Sequence, residues 1–101
     1  MIVHVLKFSA KPGKEKTVHK IIRGCMMILK DKAHPGTSFH SFRDAADKRQ
    51  FIQISTFDSK EAEERFESSI ELKNHFSRLA HVSDGGLDYH KVESFEFFQA
   101  R

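Results

Sequence analysis

Seven histidines, His4, His19, His34, His40, His75, His81 and His90, are spread through 101 residues, and histidine is the side chain best suited to proton transfer near neutral pH. Helical metal sites place two histidines four residues apart or within a His-Glu-x-x-His run. His75 and His81 are six apart, so no metal site is expected. His4 and His75 remain as candidate general bases. His4 lies in an apolar N-terminal stretch and His75 flanks an apolar helical stripe, and each reads first as a partly buried histidine bonded locally. The other five read as surface or turn residues. Cys25 is the one cysteine, which excludes an internal disulfide and points to a reducing compartment. Its helical apolar neighbours make it a buried structural thiol. No Ser/His/Asp nucleophile signature, phosphate loop or dinucleotide fingerprint is present, since Gly85-Gly86 is too short and stands between a helix and a strand. No cofactor is expected.

The elements that must position these groups are constrained by size. A chain of 101 residues has room for one domain, here residues 1–101, and leaves much of its surface uncovered unless a partner shields it. Ten Phe accompany a single Tyr and no Trp; Phe has no polar handle, so these rings imply a core larger than one sheet face. The longest apolar run, Cys25 to Leu29, is too short to span a membrane. Met1 to Phe8 has neither a basic leader nor a cleavage site, which suggests a first strand and a cytoplasmic location. Residues 1–50 carry eleven Lys/Arg against four Asp/Glu, and residues 51–101 six against ten. This is a dipolar surface rather than a polyanion-binding one.

Alternation over 2–9 predicts a strand with Val3 and Val5 on one side and His4, Leu6 and Phe8 on the other. Both sides are largely apolar and need cover. Val18, Ile22, Cys25 and Leu29 recur at helical spacing and predict a helix from Lys14 to about Lys32. Strands follow at 39–44 and 50–57, joined by a short polar link. Asp58 with Glu61, then Ser68 with Glu71, carry a capping-box signature and predict a short helix, 59–66, that restarts over 69–81. Asp84-Gly85-Gly86 reads as a turn, followed by a last strand over 87–98. The order is βαββαβ.

With Lys11-Pro12-Gly13 after the first strand, His34-Pro35-Gly36 before the second, and Phe57-Asp58-Ser59-Lys60-Glu61-Ala62 followed by Ser68-Ser69, the chain resembles the antibiotic biosynthesis monooxygenase domain family over nearly its whole length. Phe57-Asp58-Ser59 stands where that family has Trp-Glu-Ser. The resemblance implies an α+β, ferredoxin-like βαββαβ fold with an antiparallel sheet, covered on one face by helices and on the other by a second copy, so that a homodimer forms a dimeric α+β barrel through the sheet faces. Members include cofactor-independent monooxygenases of polycyclic phenols or quinols, haem-degrading enzymes and proteins without known activity. The haem-degrading branch has an asparagine at Leu6, a tryptophan at Phe66 and its haem-ligating histidine near Phe76, one place after His75. None of these is kept. The quinol-type branch has a histidine where this chain has Glu71.

Leu6, Phe8, Phe66, Glu71 and Phe76 are the expected ligand-pocket residues, although helical spacing alone would also make the apolar ones plain core. The resulting expectation is a monooxygenase-like protein acting on a small aromatic, quinol- or phenol-type molecule, with His4 or His75 as base. The alternative is a non-catalytic dimeric ligand carrier or stress accessory. An RNA recognition motif shares the element order, but Lys48 to Phe57 lacks that module's Gly and aromatic spacing, so neither nucleic acid nor membrane is an expected partner.

Overall fold

The first strand, β1 (Ile2–Ala10), is central because its sequence allows both of its edges to be paired and one of its faces to be buried. The computed structural model describes residues 1–101. After β1 come α1 (Glu15–Lys32), β2 (Thr37–Arg43), β3 (Gln50–Phe57), α2 (Lys60–Ser68), α3 (Ile70–His81) and β4 (Ser83–Glu93). All pairings are antiparallel in the order β2-β3-β1-β4, the ferredoxin-like arrangement expected from the sequence.

Strand period 2 fixes which side chains meet the helices. His4, Leu6, Phe8 and Ala10 of β1 and Phe51, Gln53, Ser55 and Phe57 of β3 are all buried. One apolar cluster joins Leu6, Phe8, Val18, Ile22, Phe51 and Leu79; a second joins Cys25, Phe57, Ala62, Phe66 and Leu72. Phe76 packs against both. On the opposite face, Val3 and Val5 meet Thr56 and Ile54 of β3 and Val92 and His90 of β4. Ile52, Phe42 and Val92 are exposed on this face, with Val3, Val5 and Ile54 only partly buried. The two-sided apolar character read from 2–9 is therefore present in the folded chain.

Three local expectations need correction. The helix caps are Ser59, accepting from the Ala62 N–H, and Ser69, accepting from the Leu72 N–H, each one residue beyond the predicted Asp58 and Ser68. Both serines hold extended backbone angles that aim Oγ at the third helical N–H, which satisfies an otherwise orphaned donor. The helix break is confined to Ser69, which ends α2 and begins α3. The third correction is the last strand, which spans 83–93 rather than 87–98. Gly85 and Gly86 do not turn the chain back. With φ of 85° and 82°, they form an irregularity inside β4 where pairing with β1 slips between Lys7 and Ser9. The strand stops at Glu93 because its partner is Ile2, the first residue of β1. Phe95, Phe97 and Phe98 consequently lie beyond the sheet, each more than four-fifths exposed.

At the start of β2, Gly36 has φ of 87° and its carbonyl accepts the Asp58 N–H at 3.1 Å. A Cβ at Gly36 would collide with the Asp58 carboxylate. Gly36→Ala is expected to destabilise the fold by about 1–3 kcal/mol, measured as a lower urea midpoint with an unchanged m-value.

Candidate active site

Between the sheet and the α2–α3 pair lies a cavity of about 300 Å³ lined by Leu6, Phe66, Leu72, Phe76, Leu87 and Tyr89, with Glu67 and Lys73 as its charged members. Each wall follows from a local pattern. Leu6 projects from the helix-facing side of β1, and Tyr89 is its direct partner on β4. Phe66 ends the apolar stripe of α2, while Leu72 and Phe76 are one helical turn apart on α3. The walls are mostly apolar, as in sites for flat organic ligands, and the volume is at the lower end of the roughly 300–1,000 Å³ such sites occupy. A neighbouring recess between α1 and α2 holds only about 20 Å³, room for little more than a water.

From Tyr89 a chain of hydrogen bonds runs inward, part-buried at Tyr89 and buried at Glu63. Tyr89 Oη lies 2.6 Å from His4 Nδ1 and His4 Nε2 lies 2.7 Å from Glu63 Oε2, with the His4 ring 2% exposed. An ionised carboxylate only accepts, so Glu63 takes the Nε2–H; when the ring is neutral, Nδ1 then accepts from the tyrosine hydroxyl. The His4 ring is also wedged against Phe57 and Phe66, with centroids 4.8 and 6.2 Å away. The hydrogen bond from His4 holds the Glu63 carboxyl below its ordinary value against the opposing effect of burial, and Lys91 adds to the lowering. Burial, then the Glu67 charge, pushes the Tyr89 phenol up, so it stays protonated near neutral pH. Lys91 Nζ stands 3.0 Å from Glu67 and 3.7 Å from Glu63. Although His4, Glu63 and Glu67 lie close enough to share a cation, Lys91 already supplies the positive charge there.

The structure distributes the residues singled out from the sequence unevenly. Leu6, Phe66 and Phe76 line the cavity. Phe8 does not: it belongs to the other end of the core, stacked on Phe51 with centroids 5.3 Å apart. Glu71 also lies outside, bonded to Lys32 at 3.0 Å on the surface, because its position on α3 faces α1 rather than the sheet. His4 and His75 share no hydrogen bond. His75 is fully buried against Phe76, and neither ring nitrogen makes a well-formed hydrogen bond, although the Ile21 backbone lies near enough to favour the protonated ring. Sequence reading missed Tyr89, Glu63 and Glu67. The available signal was the alternation Leu87, Tyr89, Lys91, which shares the helix-facing side with His4 and Leu6 once β4 is registered against β1; Tyr89 and His4 are then diagonal cross-strand neighbours.

Four antiparallel strands under one layer of helices, with the cavity between them, define a ferredoxin-like α+β protein of the kind found among antibiotic biosynthesis monooxygenases. No family model matches the sequence, and no curated protein does. Solved structures do share the fold. SnoaB, a cofactor-independent oxygenase from Streptomyces nogalater, superposes with a TM-score of 0.81 at 12% identity over 98% of this chain and 97% of that one. A protein from Deinococcus radiodurans, described provisionally as an antibiotic biosynthesis monooxygenase, gives 0.82 at 13% identity over 100% and 99% of the two chains. Rv0793 from Mycobacterium tuberculosis gives 0.79 at 12% identity over 97% and 98%. At such identities the likeness establishes the fold. No helix is long and apolar enough to cross a membrane.

Burial lowers the His75 pKa from 6.5 to about 4. The unfolded chain thus binds the extra proton first, and stability contributed by the neutral ring is complete above about pH 6.5 and lost as pH falls towards 4. The loss should reach on the order of 3 kcal/mol. Thermal melts across this window are expected to show the decline, and His75→Leu to flatten it.

Proposed function

We propose that this chain is a cofactor-independent monooxygenase-like protein that binds a small quinol- or phenol-type aromatic molecule in the cavity between sheet and helices. The observation that carries the reading is the cavity itself: Leu6, Phe66 and Phe76 supply flat apolar walls, and Tyr89 supplies a hydroxyl connected to buried His4. The fold it shares with the Streptomyces nogalater oxygenase supports the same reading. In such a reaction the substrate is its own reductant. Loss of a proton from a phenolic oxygen gives an electron-rich anion that O₂ can oxidise; a ring CH₂ becomes C=O, one oxygen atom enters the product and the other leaves as water. The protein's task is to bind the ring, exclude bulk water and take up the proton. Of the two histidines predicted as bases, His4 has the hydrogen-bonded route to the cavity.

Purified protein is expected to consume O₂ with at least one member of a panel of anthrones and naphthoquinols, and Leu6→Trp, which fills the cavity, to lower the rate at least about tenfold through lost binding. Binding of the same compounds without O₂ uptake would identify a ligand carrier instead.

Residues 1–101 act as one unit in this reading, and two copies pair through their outer sheet faces. Val3, Val5, Ile52, Ile54, Phe42 and Val92 otherwise leave an apolar patch in water, and their aliphatic character suits sheet packing better than base stacking. Sedimentation at micromolar concentration should give a dimer, and Val5→Asp should shift it to monomer; a wild-type monomer would remove the barrel from the proposal.

A further inference from the structure

We infer that Tyr89 is the catalytic residue that exchanges a proton with the bound phenol, and that His4 and Glu63 are positioning residues that act on the substrate only through it. This rests on the reading of the cavity as a phenol site, and it assigns the proton route within that site.

The geometry leaves His4 no direct access. Its ring is buried, Nε2 is occupied by Glu63 at 2.7 Å, and Nδ1 is covered by the Tyr89 hydroxyl at 2.6 Å. Tyr89 lines the cavity, is about half exposed and hydrogen-bonds the imidazole, so its hydroxyl joins the cavity to His4. A protonated tyrosine cannot take up a proton unless it gives one away, and the upward push on its phenol keeps Tyr89 protonated. Coupling removes this difficulty. The substrate O–H bond breaks and an O–H bond forms at Tyr89 Oη; Tyr89's original O–H breaks and an N–H forms at His4 Nδ1. Tyr89 ends neutral, the substrate is an anion, and the positive charge is on an imidazolium held by ionised Glu63.

The surrounding charges favour this placement. From α2, Glu63 and Glu67 face the network, with Lys60 at longer range; from β4, Lys91 bridges both carboxylates; from α3, Lys73 lies at the cavity wall near the new substrate anion. The hydrogen bond to Glu67 and the nearby acidic groups keep Lys91 protonated, so it offsets one of the two carboxylate charges and leaves the other to hold an imidazolium at His4. The relay spans three elements: α2 gives Glu63, β1 gives His4 and β4 gives Tyr89.

The test uses a nitrophenol, whose absorbance separates the neutral from the ionised form, together with nitrogen NMR of the His4 ring. Wild-type protein should ionise the bound nitrophenol about one pH unit below its value in free solution, and Glu63→Gln should raise that midpoint by about one unit. Tyr89→Phe should bind the nitrophenol within about twofold but lose the downward shift, and should slow oxygen consumption at least about a hundredfold. If Tyr89→Phe ionises the phenol and turns over as wild type does, the proton route is wrong although the phenol site stands. If nitrophenol fails to bind wild-type protein, the phenol site is wrong, and the route is judged by NMR alone. The neutral His4 ring should be the Nε2–H tautomer, with an Nδ1 resonance that moves in Tyr89→Phe. A protonated Nδ1, unaffected by Tyr89→Phe, overturns the relay.

Discussion

Hydrogen bonding of β1 on both of its edges is the constraint from which the rest of the molecule follows. Its residues from Ile2 to Ser9 pair with β3, and Ile2 to Ala10 with β4, so its pleat sets the inward side for the neighbouring strands as well. Once Leu6 and Phe8 are directed towards the helices, Phe51 and Phe57 must follow on β3 and Tyr89 on β4. His4 is carried inward by the same alternation. It is a polar ring on an apolar face, and such a group is tolerable only if its nitrogens are satisfied. Glu63 and Tyr89 meet that requirement, and Tyr89 also connects the buried ring to the cavity.

The sequence was most informative where a single period governed a whole element. The strand over 50–57 matches β3 residue for residue, and the apolar alternation of 2–9 placed His4, Leu6 and Phe8 together on one side of β1, the side that is buried. It was least informative where pairing, rather than composition, decides the outcome. Asp84-Gly85-Gly86 has the composition of a turn, yet an antiparallel partner extending to Ala10 makes continued pairing the better use of those backbone groups. Misplacing that strand also hid Tyr89, whose role depends on register. Leu6, Phe66 and Phe76 were recoverable because helix and strand periods direct them inward. Phe8 was assigned to the cavity by the same logic, and that logic could not tell which of the two core clusters it would join.

His75 and Gln53 pose a different problem. Both are almost completely inaccessible; the Gln53 amide has no hydrogen-bond partner, and His75 makes no well-formed hydrogen bond. An apolar residue at either position would pack without that desolvation cost. Gln53 lies on the inward side of β3 between Phe51 and Phe57, and His75 lies on α3 between Leu72 and Leu79. Each interrupts an apolar row that belongs at its two ends to different clusters. The helix layer is therefore not seated on one continuous oily surface, and the neutral form of His75 is a condition of its seating. Cys25 is similarly withdrawn: burial raises its thiol to about 12, which leaves it unreactive as a nucleophile.

The segment after Glu93 carries one more implication. Because β1 offers no residue beyond Ile2 to pair with, Phe95, Phe97 and Phe98 belong to neither apolar cluster and to no strand. Cutting the chain after Glu93 would leave every sheet ladder, both helix caps and the whole lining of the cavity in place while deleting three of its ten phenylalanines. What such a shortened chain lost could then be ascribed to the company the molecule keeps rather than to its ability to fold.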